Sequence, residues 1–231
     1  MNLIASAAFV LAALTGLPAM AQSTFSLPQG CSATVTMQKR SCVVTHLFTC
    51  EGDPAGYQRR VDLDDQGMIY LGVIDAETQW IESYSPRSGI TSRLMDGARD
   101  PASLTTLIDT GTDTFDFMTD AGPNGITRYR GTDTLTGQTV TIDGVDLQQT
   151  TFEVRAYTPT GRLEYTVAGT EFINPTWRTF VSGRRIVTNP DGTIETDATP
   201  VEFAFPNEEG FLSNRAKFDC GVVLSSYEGR P

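Results

Sequence analysis

The chain has 231 residues, of which 39% are hydrophobic and 9% aromatic, so it carries enough apolar material for a folded core. Its 17 basic and 28 acidic residues give a formal charge of −11, which disfavours nucleic acids and anionic membrane surfaces as partners. A single histidine excludes histidine-rich catalytic and metal sites.

The first 21 residues have the pattern of a cleaved export signal. An apolar run, Leu3–Leu14, is followed by the helix breakers Gly16 and Pro18 and by a small-x-small cleavage site at residues 19–21. A membrane anchor would need about 20 unbroken apolar residues, which neither this run nor any later one supplies. The pattern predicts a bacterial protein of the periplasm or exterior, whose mature chain, residues 22–231, forms a single domain.

Four cysteines in an exported chain predict two disulfides; they are Cys31, Cys42, Cys50 and Cys220. No C-x2-C spacing supports zinc. A strand over residues 42–50 would place its ends about 26 Å apart, too far for the roughly 7 Å that a disulfide spans. We therefore favour Cys31–Cys50 as a hairpin staple and Cys42–Cys220 as a long-range link, with Cys31–Cys220 as the open alternative.

His46, the only histidine, lies in the segment Val43-Val-Thr-His-Leu-Phe-Thr-Cys50. Strand alternation places it on one face with Val44 and Phe48. A catalytic role would need a nucleophile and an orienting group, and no G-x-S-x-G elbow is present. The segment therefore predicts a half-buried strand histidine.

The segment from Asp62 to Ile69 resembles the start of an EF-hand calcium loop, because Asp62, Asp64 and Gly67 fall at positions 1, 3 and 6. Position 12, however, is Val73, where a bidentate glutamate is needed. The sequence therefore predicts a hairpin turn with solvated carboxylates and no metal.

One helix is predicted after residue 100. Asp100 is the expected N-cap and Pro101 the first helical residue, Leu104 and Leu107 belong to its apolar stripe, and Gly111 ends it. Such a helix would lie on the apolar face of a sheet.

The rest of the chain alternates with a period of two between short turns, which is typical of antiparallel strands. Inward apolar sets are clear at Phe152 and Val154 and at Tyr165 and Val167. The candidate strands are 33–38, 41–50, 57–63, 68–75, 79–85, 90–95, 114–120, 126–134, 138–143, 150–158, 163–173, 177–188, 193–205 and 211–220. These elements predict an all-β fold, a long antiparallel meander that forms a strongly curved sheet or incomplete barrel with one short helix packed on it. The alternative is a two-sheet sandwich.

Charged residues on the strands are expected on the outer, solvated face. These residues are Asp116, Glu153, Arg155, Glu164 and Glu202. Such a face argues against an outer-membrane barrel, which would present apolar side chains to lipid.

Three functions remain open. We favour a non-catalytic envelope protein that binds an apolar small molecule, a lipid or another envelope protein in or on the curved sheet. The alternatives are a hydrolase of extracellular polymer with paired carboxylates, although no pair stands out, and a purely structural module with a filled core. Since no nucleotide-binding motif is present, no cofactor is expected. A concave apolar surface would favour the first function, and two converging acids in a cleft, one of them with a raised pKa, the second.

Overall fold

A computed structural model describes residues 24–221 and contains one antiparallel sheet of 13 strands. The predicted export signal at residues 1–21 lies outside the described residues. The all-β fold with one short α-helix is confirmed, and the sheet is not closed. The strands are β1 Cys31–Lys39, β2 Val43–Cys50, β3 Gln58–Asp64, β4 Gly67–Ile74, β5 Trp80–Ser85, β6 Ile90–Leu94, β7 Thr112–Asp120, β8 Ile126–Ile142, β9 Val145–Tyr157, β10 Leu163–Asn174, β11 Thr179–Asn189, β12 Gly192–Asp197 and β13 Pro200–Ala204.

The sheet curls until its two edges nearly meet. Its order runs from β12 through β11 down to β1 and then β13, so β12 and β13 are opposite edges. A flat sheet of this width would separate the edges by more than about 50 Å. Yet only residues 198 and 199 join Asp197 to Pro200, a span of at most about 11 Å. The seam between the edges is bridged by backbone hydrogen bonds, from Ala198 to Gly183 and from Arg40 to Thr199.

The inside of the curve is partly filled by an apolar core. The core joins β1, β2 and β13 to the facing strands β9, β10 and β11; its buried members are Val35, Met37, Leu47, Leu147, Phe172, Val181 and Phe203. The turn between β8 and β9 reaches the opposite edge, where the Asp143 carboxylate accepts a hydrogen bond of 2.8 Å from the Phe203 amide. The two halves of the sheet therefore face each other across this core.

The helix α1, Leu104–Thr110, begins later than predicted. Its N-cap is Ser103, whose side chain accepts from the Thr106 amide, and Asp100 instead forms an isolated bridge with Asp116. The predicted stop is correct, because Gly111 adopts a left-handed φ of 85° that suits glycine. Leu104 and Leu107 are buried with Ile173 of β10.

Two terminal segments cover the outer face of β1, β2 and β3. From the N-terminal side Phe25 packs with Val44 and Phe48. From the C-terminal side the amide of Leu212 donates to Thr36 Oγ1, and Gln38 exchanges side-chain hydrogen bonds with the backbone of residues 215 and 217. This face is therefore buried, although both covering segments lack strand structure apart from one isolated bridge.

Two disulfides hold this region together, as the four cysteines predict. Cys31 is bonded to Cys50 across the β1–β2 hairpin, and Cys42 is bonded to Cys220, 178 residues away. The observed pairing is the one that the strand geometry favours over Cys31–Cys220. No cysteine among the described residues is free.

Several strand boundaries differ from the sequence-based expectation. The segments 126–134 and 138–143 merge into the single strand β8, which continues through a register shift after Leu135. The segment 193–205 divides into β12 and β13, which lie at opposite edges. The predicted strand 211–220 was wrong, because this segment bonds to side chains of β1 instead of joining the ladder. No helix within residues 24–221 is long and apolar enough to cross a membrane.

Candidate ligand-binding cavity

A cavity of about 730 Å³ lies inside the curve of the sheet, beside the apolar core. Strands β3, β4 and β5 line it on one side and β7 to β11 on the other. The two sides are tied together where the Gln58 side chain of β3 donates to the carbonyl of Trp177, at 2.6 Å, and to that of Arg178. The cavity therefore depends on the curvature that brings distant strands together.

One wall of the cavity is aromatic. Trp80 of β5 meets Phe117 of β7 and Tyr129 of β8 edge-on, with ring centroids 5.3 and 5.2 Å apart. Phe115 continues the row at 5.6 Å from Phe117. These four rings form what we call the aromatic wall. Trp80 is 43% exposed, so the wall reaches the mouth of the cavity.

Another part of the lining carries a charged triad in which Lys39 and Asp62 are buried and Arg60 is partly exposed. Arg60 binds both carboxylate oxygens of Asp62, and Lys39 Nζ lies 3.7 Å from the same group. Thr45 donates to Asp62 Oδ1 at 2.6 Å. Burial raises the pKa of Asp62, but the positive charges of Arg60 and Lys39 outweigh it and hold that pKa below its usual range. Burial lowers the pKa of Lys39, and the attraction of Asp62 opposes the fall.

A glycine allows an aromatic ring to lie over the triad. Gly72 of β4 pairs with Arg60 of β3, and a Cβ on Gly72 would come within 2.5 Å of the Tyr70 hydroxyl oxygen. The Tyr70 ring can therefore cover the glycine, and its centroid lies 5.5 Å from the Arg60 guanidinium carbon. This distance is within the range of cation–π attraction.

Two carboxylates, Asp133 of β8 and Glu171 of β10, line the cavity without a partner. Neither forms a hydrogen bond or an ion pair with any residue between 24 and 221. Burial, aided by the negative charge of Asp113, raises the pKa of Asp133 to about 7. Burial, aided by Asp133 and opposed by Arg60 and Arg185, raises the pKa of Glu171 to about 8.

These raised pKa values predict a stability that falls as the pH rises. An acid whose pKa is higher in the folded than in the unfolded protein binds more protons when folded, so stability is lost between the two pKa values. The double variant Asp133→Asn, Glu171→Gln should match the parent protein near pH 4, where the unfolded carboxyl groups begin to ionise, and exceed its free energy of unfolding at pH 9 by about 1–3 kcal/mol. Urea unfolding at both pH values measures this difference.

The matched control for that experiment is Glu153→Gln, which changes an exposed carboxylate on the intervening strand β9. It should leave the pH dependence unchanged. A double variant that shows the same pH dependence as the parent protein would contradict the assignment.

His46 takes no part in the cavity. Its ring lies on the outer face of β2, stacked 5.2 Å from Phe25, with Nδ1 2.9 Å from Thr36 Oγ1. The predicted half-buried position was wrong, because the terminal segments leave His46 with no exposed surface. This burial lowers the pKa of His46 to about 4, which keeps the imidazole neutral.

The segment resembling a calcium loop is a hairpin turn, as predicted, with Asp64 paired to Gly67. The expectation of solvated carboxylates was wrong for Asp62, which points inward from β3 and is 6% exposed. No group of acidic, histidine or cysteine side chains in the described part of the chain could hold a metal ion.

The outward position predicted for Asp116 needs a similar correction. Asp116 lies on the face of β7 away from Phe115 and Phe117, but it is only 9% exposed and Arg128 binds both of its carboxylate oxygens. Its pKa is held below the usual range, first by that hydrogen bonding.

Sequence reasoning missed Asp133 and Glu171 as a pair. A signal for Glu171 was present, because the inward series Tyr165, Val167 continues with period two to residue 171. What the sequence lacks is the register that sets β8 and β10 on either side of β9, with Asp133 paired to Phe152 and Glu171 to Thr150.

The fold and the cavity define a class: an open, curled antiparallel sheet with two disulfides, enclosing a cavity with one aromatic and one charged wall. The disulfides fit an oxidising compartment. Comparison with protein-family models, curated proteins and solved structures gives no match to this chain.

Proposed function

We propose that this protein is an exported, non-catalytic binding protein that holds a small molecule with an apolar or aromatic body inside its curved sheet. The observation that carries the proposal is the aromatic wall in a cavity of about 730 Å³. Pockets of about 300–1,000 Å³ with aromatic linings and a few placed polar groups are typical of small-molecule sites. The predicted signal and the two disulfides support a periplasmic or secreted location.

The experiment is a fluorescence titration with N-phenyl-1-naphthylamine, an uncharged apolar probe whose emission rises in an apolar site. We expect saturable binding, weakened about tenfold by Ser83→Phe, because Ser83 lines the cavity and a phenyl ring there would fill it. Ser88→Phe, in the exposed β5–β6 turn, is the control and should bind the probe like the parent protein. Probe binding that Ser83→Phe leaves intact would place the probe elsewhere and contradict the proposal.

A carboxylate-dependent hydrolase is the second candidate, favoured by the two acids that line the cavity, Asp133 and Glu171. A glycosidase needs one protonated and one ionised carboxyl group. Glu171 could be the protonated group because its pKa is raised. The ionised group would be Asp62, but Arg60 already binds both of its oxygens. Hydrolysis of 4-nitrophenyl glycosides that is lost in Glu171→Gln would establish this function over binding alone.

A further inference from the structure

The polar groups of the cavity indicate which ligand charge it accepts, and this inference rests on the function proposed above. The cavity holds positive and negative side chains, and they differ in whether a partner already neutralises them. Charged groups that are buried without partners are costly, and a ligand of opposite charge removes that cost.

The positive groups are already bound. Arg60 and Lys39 share Asp62. At the rim of the cavity, Arg59 binds Asp53 through two hydrogen bonds, of 2.7 and 2.6 Å. An anionic ligand would therefore compete with carboxylates that the protein itself supplies.

The two other rim arginines are also engaged. Arg184 Nε donates to Asp197 Oδ2 at 3.1 Å. Arg185 is exposed and donates to Thr196 Oγ1, also at 3.1 Å. Arg185 has no carboxylate partner among residues 24–221, but it is exposed, so water solvates its charge.

The negative groups are not bound. Asp133 is 8% exposed, lines the cavity and has no hydrogen-bond or ion-pair partner among residues 24–221. Glu171 keeps some accessible surface, and that surface faces the same cavity. An unpartnered, nine-tenths buried carboxylate aimed into a cavity is complemented by a cation that donates hydrogen bonds.

The aromatic wall adjoins these acids. Asp133 pairs across the ladder with Phe152, which also lines the cavity. Phe115 lies against Gly131, two residues from Asp133 on the same face, where a Cβ would come within 2.3 Å of the ring. Aromatic faces attract ammonium groups, so rings and carboxylates favour the same kind of ligand.

We propose that the cavity binds an organic amine, with its apolar body against the aromatic wall and its ammonium group bound by the carboxylates of Asp133 and Glu171. These carboxylates bind an ammonium group in their ionised form, so binding releases protons near neutral pH. Asp113 beside Asp133 disfavours this ionisation, whereas Arg60 and Arg185 near Glu171 favour it.

The test compares three ligands with one body and different head groups: 4-phenylbutylamine, 4-phenylbutanol and 4-phenylbutanoate, each titrated calorimetrically into the full chain. At pH 8.5 we expect the amine to bind about tenfold more tightly than the alcohol, and the carboxylate to bind more weakly than the alcohol. The preference for the amine should shrink at pH 6, where both acids are protonated. Buffers of different ionisation enthalpy should report proton release.

The double variant Asp133→Asn, Glu171→Gln should bind the amine and the alcohol equally, while Glu153→Gln keeps the preference. Equal binding of all three ligands, tightest binding of the carboxylate, or no binding of the amine at millimolar concentration overturns the proposal. If the alcohol and N-phenyl-1-naphthylamine bind without a preference for the amine, only this inference fails. If neither of them binds, the proposed function fails with it.

Discussion

Replacing Asp62 by alanine is expected to lower the free energy of unfolding by about 3–5 kcal/mol, because the change leaves buried positive charge without a counterion. Lys39 and Asp62 expose only 3% and 9% of their side chains, so water cannot replace the lost carboxylate. Arg60 would lose both of its hydrogen bonds to that group. Urea or guanidinium unfolding at pH 7 measures the loss.

The matched control is Asp53→Ala, which breaks the ion pair of Arg59, the residue before Arg60 on β3. Arg59 and Arg60 are similarly exposed, at 31% and 34%, so the two sites differ in the buried Lys39, which only Asp62 serves. Partly exposed pairs contribute about 1 kcal/mol or less, so Asp53→Ala should cost little. A triple variant, Lys39→Met, Arg60→Met, Asp62→Leu, should recover most of the stability, because it removes the unpaired charges as well as their partner. Equal losses in Asp62→Ala and Asp53→Ala would refute the buried triad.

The pH dependence of the triad follows from the depressed pKa of Asp62. A carboxyl group whose pKa is lower in the folded protein stabilises it above the unfolded pKa, and this contribution is lost as the pH falls through the folded value. The loss therefore lies below about pH 4. It runs opposite to the effect of Asp133 and Glu171, which destabilise the protein as the pH rises.

The sequence predicts those parts of the fold that depend on local alternation. Phe152 and Val154 share a face as expected, and the β1–β2 hairpin could be derived because a straight strand cannot bond Cys42 to Cys50. The short helix was predicted with its C-terminal stop, but its start was misplaced. Ser103 and Asp100 are both suitable N-caps, and long-range contacts decide between them: Asp100 bridges to Asp116, whereas Ser103 donates to Glu77 and Asp113.

The cavity could not be predicted in this way, because its walls come from strands far apart in the chain. Lys39 and Asp62 lie on β1 and β3, on either side of β2, but Lys39 also reaches Ser182 of β11 across the seam at 3.5 Å. Nothing in the local pattern around Asp62 distinguishes a buried carboxylate from a solvated one. The C-terminal segment was misread for the same reason, since its partners Thr36 and Gln38 lie about 180 residues earlier.

Of the two disulfides, Cys42–Cys220 is expected to contribute more to the free energy of unfolding. Its cysteines are 178 residues apart, and the loop-closure relation gives about 5 kcal/mol for a bridge of that span, against about 3 kcal/mol for the 19-residue separation of Cys31–Cys50. Cys42→Ser, Cys220→Ser should therefore lower the free energy of unfolding more than Cys31→Ser, Cys50→Ser. Denaturant titration of the two variants under one set of conditions compares them directly.

A second readout separates a local from a global effect of that bridge. Cys220 anchors the segment that covers the outer face of β2, where Val44, His46 and Phe48 are buried. Without the bridge this segment is held by a few hydrogen bonds, so the apolar face should become accessible before the sheet unfolds. We expect the long-loop variant to bind an apolar dye in dilute denaturant and the short-loop variant to bind little. Equal dye binding and equal stability in the two variants would show that the C-terminal segment stays in place without its disulfide.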